Sequence, residues 1–163
     1  MKLLDNSSVT LFILEIPQYD FLKELYNLNE SLNITQHVRK EFEDTGEIEK
    51  LDFYLSNEMI KLKEVNYDSK LKMRFPNLGN GELSIIQWGL DLKGKCSYQC
   101  ILDDLLARKV AKRLGLSISG SIGLIILVKD KNKYTGDKIE DIIESIDKSN
   151  FRISKHVLNK LRG

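Results

Sequence analysis

Apolar and polar residues change period repeatedly along this chain. Short apolar runs alternate with stretches in which apolar residues recur every three or four positions, the marks of buried strands and amphipathic helices. "KLL" at Lys2 predicts a first strand, and Val9–Ile16 and Phe21–Tyr26 predict two helices parted by Pro17. "SLNI" predicts a second strand, with Thr35 as the N-cap of a helix over "QHVRKEF". A helix over Glu47–Leu55 and an alternating strand at "IKLKEV" follow. Asn66–Gly81, "NYDSKLKMRFPNLGNG", keeps no period and reads as a loop. Next come a strong helix over Glu82–Leu92 closed by Gly94 and a strand over Tyr98–Leu102. A helix over Asp104–Leu114 closed by Gly115, a short strand "LSIS", helices over Ser121–Lys129 and Asp137–Asp147, and a short C-terminal helix complete the pattern. Strands alternating with helices predict an α/β fold with a mainly parallel sheet covered on both faces. No repeat or linker interrupts the 163 residues, so a single domain over 1–163 is expected.

In open parallel sheets, ligands bind outside the carboxyl ends of the strands. Asp5 and Asn6 end the first strand, and Asp103 and Asp104 end the strand after Tyr98. If those strands are neighbours, acids meet at one edge of the sheet. Glu82 shares a helix face with Ile85, Ile86 and Gly89, Glu41 follows Val38 on its helix, and Asp104 leads Ala107 and Ala111. Each acid also has a plain structural reading. Asp104 serves as an N-cap, Glu82 as a first-turn acid and Glu41 as the margin of a stripe, with caps and first-turn acids worth about 0.5–1 kcal/mol. Together they would repel and raise one another's pKa unless a cation neutralised them. Mg²⁺ or Mn²⁺ takes carboxylates and waters in such sites, generates hydroxide and stabilises phosphoryl displacement. No G-x-S-x-G occurs, and neither His37 nor His156 falls in a triad motif.

Composition narrows the classes. A net charge of +1 confines any nucleic-acid contact to local patches. No run approaches the roughly 18 apolar residues that span a bilayer, so no membrane partner is expected. The opening "MKLLDNSS" has neither a long hydrophobic region nor a cleavage site, so no signal peptide is expected. Cys96 and Cys100 are the two cysteines. In an extended segment they would stand about 13 Å apart, beyond the roughly 7 Å reach of a disulfide. They read as buried, reduced thiols of a cytoplasmic protein. Arg108, Lys109, Lys112 and Arg113 form a basic strip beside the acid pair, suited to phosphate or simply to a solvated helix end. Trp88, Phe21 and Tyr26 read as core.

The run "LDDLLARKVAKRLGLSISGSIGLI", Leu102–Ile125, resembles the C-terminal half of PIN domains, closest to a prokaryotic subgroup described as predicted nucleic-acid-binding proteins. "NSSV" at Asn6 resembles the family's first motif, "ITQHVRKEF" the segment of its second acid at Glu41, and "GNGELSIIQWGLDLKG" the helix of its third at Glu82. The resemblance implies a three-layer α/β/α fold and a Mg²⁺- or Mn²⁺-dependent ribonuclease. Glu41, Glu82, Asp103 and Asp104 would be catalytic, and Asp5, Asn6, Glu41, Glu82 and Asp104 would hold the metal. It also implies RNA as substrate, kinship to VapC-type toxins, a small antitoxin and a homodimer. Asn6 stands where the family carries its first Asp, with Asp5 one residue earlier. Consecutive strand residues face opposite ways, so either Asp5 serves by a register shift or the site is weakened. Ser7 and Ser8 would hydrogen-bond the ligands or only close a turn. Ser119 and Ser121 match hydroxyls near the family site and, with Ser7, Arg108 and Lys112, make the expected substrate contacts.

Three functions fit: a metal-dependent endoribonuclease, a degenerate PIN-like module that binds RNA or a protein without cleaving, and a phosphate-accepting regulatory domain. The last ranks lowest, because no lysine stands near the "LSIS" strand to hold a phosphate. Asn6 favours the second, and the remaining acids favour the first.

Overall fold

Five short strands, buried on both faces at the centre, pair in parallel and set the frame for everything else. In the computed structural model, which describes all 163 residues, they are β1 (Lys2–Leu4), β2 (Leu32–Thr35), β3 (Ile60–Lys63), β4 (Gln99–Ile101) and β5 (Ile118–Ser119). Their order is β3-β2-β1-β4-β5, and every pairing is parallel. Leu3, Leu4, Ile34, Cys100 and Ile101 are fully buried, as expected for strands sandwiched between helices. The strand order reverses between β1 and β4, which opens a crevice at their carboxyl ends.

Helices α1 (Asn6–Thr10), α2 (Phe21–Asn27), α3 (Gln36–Glu43), α4 (Ile48–Ser56) and α5 (Ser69–Arg74) occupy the first half. The second half adds α6 (Asn80–Leu92), α7 (Leu105–Arg113), α8 (Ser121–Lys131), α9 (Gly136–Asp147) and α10 (Lys155–Leu158). Helix α6 lies along β1, β2 and β4 with α3 beside it, and α2 packs on α8 and β2. The result is a three-layer α/β/α fold. Thr35 caps α3 by accepting from the Val38 N–H and shares a buried 2.7 Å hydrogen bond with Ser84 of α6, which ties that helix to β2. No helix is long and apolar enough to cross a membrane.

Several elements depart from the periodicity. The first helix starts at Asn6, not Val9, because Asp5 caps it. It then widens into a π-helical stretch over Leu11–Glu15 before the turn at Pro17–Tyr19. The expected loop at 66–81 contains α5, capped by Asp68. That helix buries only Leu71, so it writes no stripe into the sequence. Helix α6 begins two residues before Glu82, whose side chain accepts from Gly79 N–H ahead of it. The strand at "IKLKEV" stops at Lys63, and the last strand shrinks to two residues. Gly94 and Gly115 do close their helices in the left-handed region. Cys100 is buried as expected, but Cys96 is exposed. Phe21 and Trp88 join the core, whereas Tyr26 falls off the Phe21–Leu22–Leu25 stripe and is 44% exposed.

Helix α6 meets β4 at Gly89, where a Cβ would stand 2.7 Å from Cys100 Sγ and 3.2 Å from Leu116 Cδ1. Alanine would gain up to about 1 kcal/mol of helix propensity, but overpacking a closed core costs about 1–3 kcal/mol. Gly89→Ala is therefore expected to lower the urea midpoint without changing the denaturant slope. A midpoint at or above that of the native chain would show that the α6–β4 contact relaxes freely.

Candidate active site

The parallel register sets Leu4 beside Ile101, so the residues that follow β1 and β4 emerge together into the crevice. The Asp5 N–H still donates to the Ile101 carbonyl at 3.2 Å before the chain turns into α1. The Asp5 side chain is 1% exposed and points toward β4. Its Oδ1 accepts from Ser8 N–H at 2.8 Å and Ser8 Oγ at 2.7 Å, and its Oδ2 from Asp103 N–H at 3.2 Å. Asn6 is the first helical residue, half-buried, with its Oδ1 3.5 Å from Thr10 Oγ1. Of the two candidates at this strand end, Asp5 alone reaches the β4 acids. The cap, not a strand register, turns it inward.

Asp103 is held from the other side. Its Oδ1 accepts from Ser121 N–H at 2.8 Å, and its Oδ2 from Ser121 Oγ at 2.5 Å and Ser8 Oγ at 3.2 Å. The single Ser8 hydroxyl therefore lies between two carboxylates and has one proton to give. The shorter contact assigns that proton to Asp5. Burial pushes the Asp5 carboxyl from the ordinary 3.8 up to about 7, and the Asp103 charge adds to this against the bonds from Ser8 and Asp103 N–H. Burial also raises Asp103, opposed by Ser121, Ser8 and the Arg108 guanidinium. Arg108 lines the larger cleft, and its Nη1 donates to the Leu102 carbonyl at 2.8 Å, behind Asp103. Burial and the neighbouring charge thus favour a protonated Asp5 up to about neutral pH.

A second tier of acids lies at the rim. Glu41 Oε1 accepts from Gly81 N–H at 2.8 Å, and a Cβ at Gly81 would come within 2.5 Å of Glu41 Oε2. Glu82 Oε2 accepts from Gly79 N–H at 3.1 Å. Burial pushes Glu82 up, the Gly79 bond pulls it back, and the charges of Asp104 and Glu41 raise it further. Asp104 does not face inward as its stripe suggests. It is exposed, and its Oδ1 caps α7 through Ala107 N–H at 2.9 Å. A helix N-cap precedes the first turn, so the side chain turns back over the helix end instead of following the Ala107–Ala111 face.

One carboxylate oxygen each of Glu41, Glu82 and Asp104 accepts no hydrogen bond from the chain. No three His, Cys, Asp or Glu side chains stand close enough to hold a metal ion as placed. The donor set nonetheless suits a hard divalent cation: it consists of carboxylate oxygens, and their mutual repulsion is opposed by Arg108 at Asp103 alone.

Two clefts meet at Asp103 and Asp104. One of about 720 Å³ runs along Asp103, Asp104, Arg108 and Ser119; the other, about 450 Å³, runs along Asn6, Ser7, Asp103 and Asp104. Ser119 Oγ also rests against Gly123, where a Cβ would lie 2.3 Å away. Lys112 is exposed in the last turn of α7 and lines neither cleft. Ser8 proves the central hydroxyl, while Ser7 is exposed. Sequence reading missed Phe151 and Arg152, which line both clefts from the segment after α9. That segment has no period, and its only signal is an aromatic next to an arginine in "NFRIS".

An all-parallel α/β/α sheet with acids gathered where its strand order reverses agrees with the fold of PIN domains, which are typically nucleases acting on phosphodiester bonds. The chain belongs to the PIN domain family: the family model described as PIN domain matches residues 5–162, beginning at the buried aspartate itself. No significant match is found among curated proteins or solved structures.

Because the Asp5 pKa is raised in the fold, the native state binds more protons than the unfolded chain between about pH 4 and 7. Its contribution to stability is favourable at low pH and is lost as pH rises through 7. Thermal melts from pH 5 to 8 are expected to show the native chain losing stability over this range and Asp5→Asn losing much less. The slope is the measure, since Asn offers one acceptor where Asp5 offers two. Equal slopes would contradict a raised Asp5.

Proposed function

We propose that the chain is a metal-dependent endoribonuclease. The observation that carries this reading is the carboxylate pair of buried Asp5 and half-buried Asp103, held side by side by Ser8 and Ser121 with Glu41, Glu82 and Asp104 at the rim. Bound Mg²⁺ or Mn²⁺ would activate water and offset charge on the phosphate undergoing displacement. In this reading Asp5 and Asp103 are the principal ligands, joined by Glu82 and Glu41, with Asp104 next to them. Ser121 and Ser8 fix the carboxylate rotamers, because each Asp103 oxygen accepts from a Ser121 donor and Ser8 spans the pair. Asp5 must be deprotonated to serve a cation, so metal affinity rises with pH. Arg108 holds the Leu102 carbonyl and keeps Asp103 ionisable. The reading extends to a VapC-type toxin, cytoplasmic and homodimeric, silenced by a small antitoxin; family resemblance supports that extension.

A second reading is a PIN-like module that binds RNA or a protein partner without cleaving it. It is favoured by the lack of any three acids poised around one point.

Cleavage of single-stranded RNA with Mn²⁺, with chelator, and by Asp103→Asn and Glu82→Gln separates the two. Both substitutions are expected to remove Mn²⁺-dependent cleavage, and Ser121→Ala to weaken Mn²⁺ binding about 10–100-fold by calorimetry. Cleavage that persists in chelator, or survives Asp103→Asn, sinks the metal-nuclease reading. RNA binding without cleavage establishes the second.

A further inference from the structure

We propose that the larger cleft receives one unstacked base of a single-stranded RNA, with Phe151 as the stacking surface and Arg152 as the phosphate contact. The choice of RNA rests on the ribonuclease reading; the demand for a single strand comes from the shape and chemistry of the cleft.

The two clefts share four residues: Asp103, Asp104, Phe151 and Arg152. The acids therefore stand at a passage between them, and a chain threaded through both clefts crosses the carboxylates. The two sides differ in character. The larger cleft has an apolar wall that includes Ile122, Ile126 and Ile153 along with Phe151. The smaller one is lined mainly by polar groups, among them Asn6, Thr10 and Asn150. A flat heterocycle fits the first; the second, with Glu15, Asp103 and Asp104 set against Arg152 alone, suits the hydroxyls of a sugar and takes phosphate only at its Arg152 end.

The charges agree. Arg152 and Lys160 line the larger cleft and take part in none of the chain's ion pairs. Arg162 pairs with Glu140 at 2.7 Å and Arg39 with Asp52 and Glu43, while Arg108, also on this cleft, is spent on the Leu102 carbonyl at 2.8 Å. Unpaired cations beside an apolar wall suit a ligand that is both anionic and aromatic. Bases in a duplex are stacked and paired, and the deep groove of an A-form helix hides their edges, so a base enters only from an unpaired strand. The wall is built in advance. Asn150 N–H donates to Glu15 Oε2 at 3.1 Å, and Lys129 Nζ to the Leu161 carbonyl at 3.2 Å, which ties the C-terminal segment to the body of the fold on both sides of Phe151.

The test is fluorescence anisotropy of the full chain in chelator, with a labelled single-stranded RNA octamer and a hairpin stem of the same composition. The octamer is expected to bind and the stem to bind at least tenfold more weakly. Phe151→Ala is expected to cost on the order of tenfold in affinity, with Phe151→Trp retaining it, which a purely structural role for the ring would not allow. Arg152→Ala is expected to weaken binding and lower the log-affinity against log-salt slope by about one, with Arg152→Lys keeping the slope. Equal binding of the stem, both alanine variants at native affinity with unchanged melting, or no octamer binding at roughly 100 µM would each overturn the proposal. Returning Mn²⁺ separates it from the nuclease reading. Octamer binding without cleavage overturns the nuclease alone, and cleavage undiminished in both alanine variants, with affinity unchanged, overturns the base site alone.

Discussion

Two carboxyl groups set side by side, Asp5 buried and Asp103 half-buried, are the constraint around which this molecule is arranged. Parallel pairing of β1 with β4 ends with Leu4 opposite Ile101, and the next acids of both strands have nowhere to go but the same crevice. Removing a carboxylate from water costs several kcal/mol, whereas one hydrogen bond to it returns about 1.5–3. A single partner is therefore not enough, and neither acid has only one. Asp5 takes three donors, and Asp103 takes two from Ser121, with the Ser8 oxygen 3.2 Å from it. Most come from the first turns of α1 and α8, so two helices are directed with their N-terminal N–H groups toward the pair. The position of α8 after the two-residue β5 is a consequence of this demand.

The site is electrostatically layered. Asp5 is buried and every oxygen of the inner pair accepts hydrogen bonds from the chain, while the rim acids each keep an oxygen free of it. The layering gives the two tiers different tasks. The inner pair is oriented by serine hydroxyls and backbone N–H groups, and each rim acid is held by one backbone N–H alone. A cation arriving from solvent meets the rim first.

Much of this was legible in the chain itself. Alternation of strand and helix gave the parallel α/β/α plan, and the acids at the ends of "KLL" and "YQCIL" met once those strands proved to be neighbours. What escaped was whatever depends on chain reversal and not on period. Asp5 was ambiguous because strand alternation says nothing about a residue that leaves its strand to cap a helix. Asp104 was placed inward by the same extrapolation, run one residue past the helix end. Helix α5 was invisible because it buries one side chain, and Phe151 and Arg152 because they reach the crevice from an extended segment more than forty residues after Asp103. Ser8 and Ser7 are indistinguishable as letters; only the turn of α1 decides which hydroxyl lies between the carboxylates.

Gly81 gives the fold a dependence that crosses half the site. Its missing side chain is the space that Glu41 occupies, and its N–H is the donor that holds the carboxylate there. Replacing Gly81 and removing Glu41 are thus one lesion approached from two ends, although the residues sit on different helices. Among relatives, the two positions should change together. A chain that carries a bulky residue at the Gly81 position has surrendered its second acid even where the letter Glu survives.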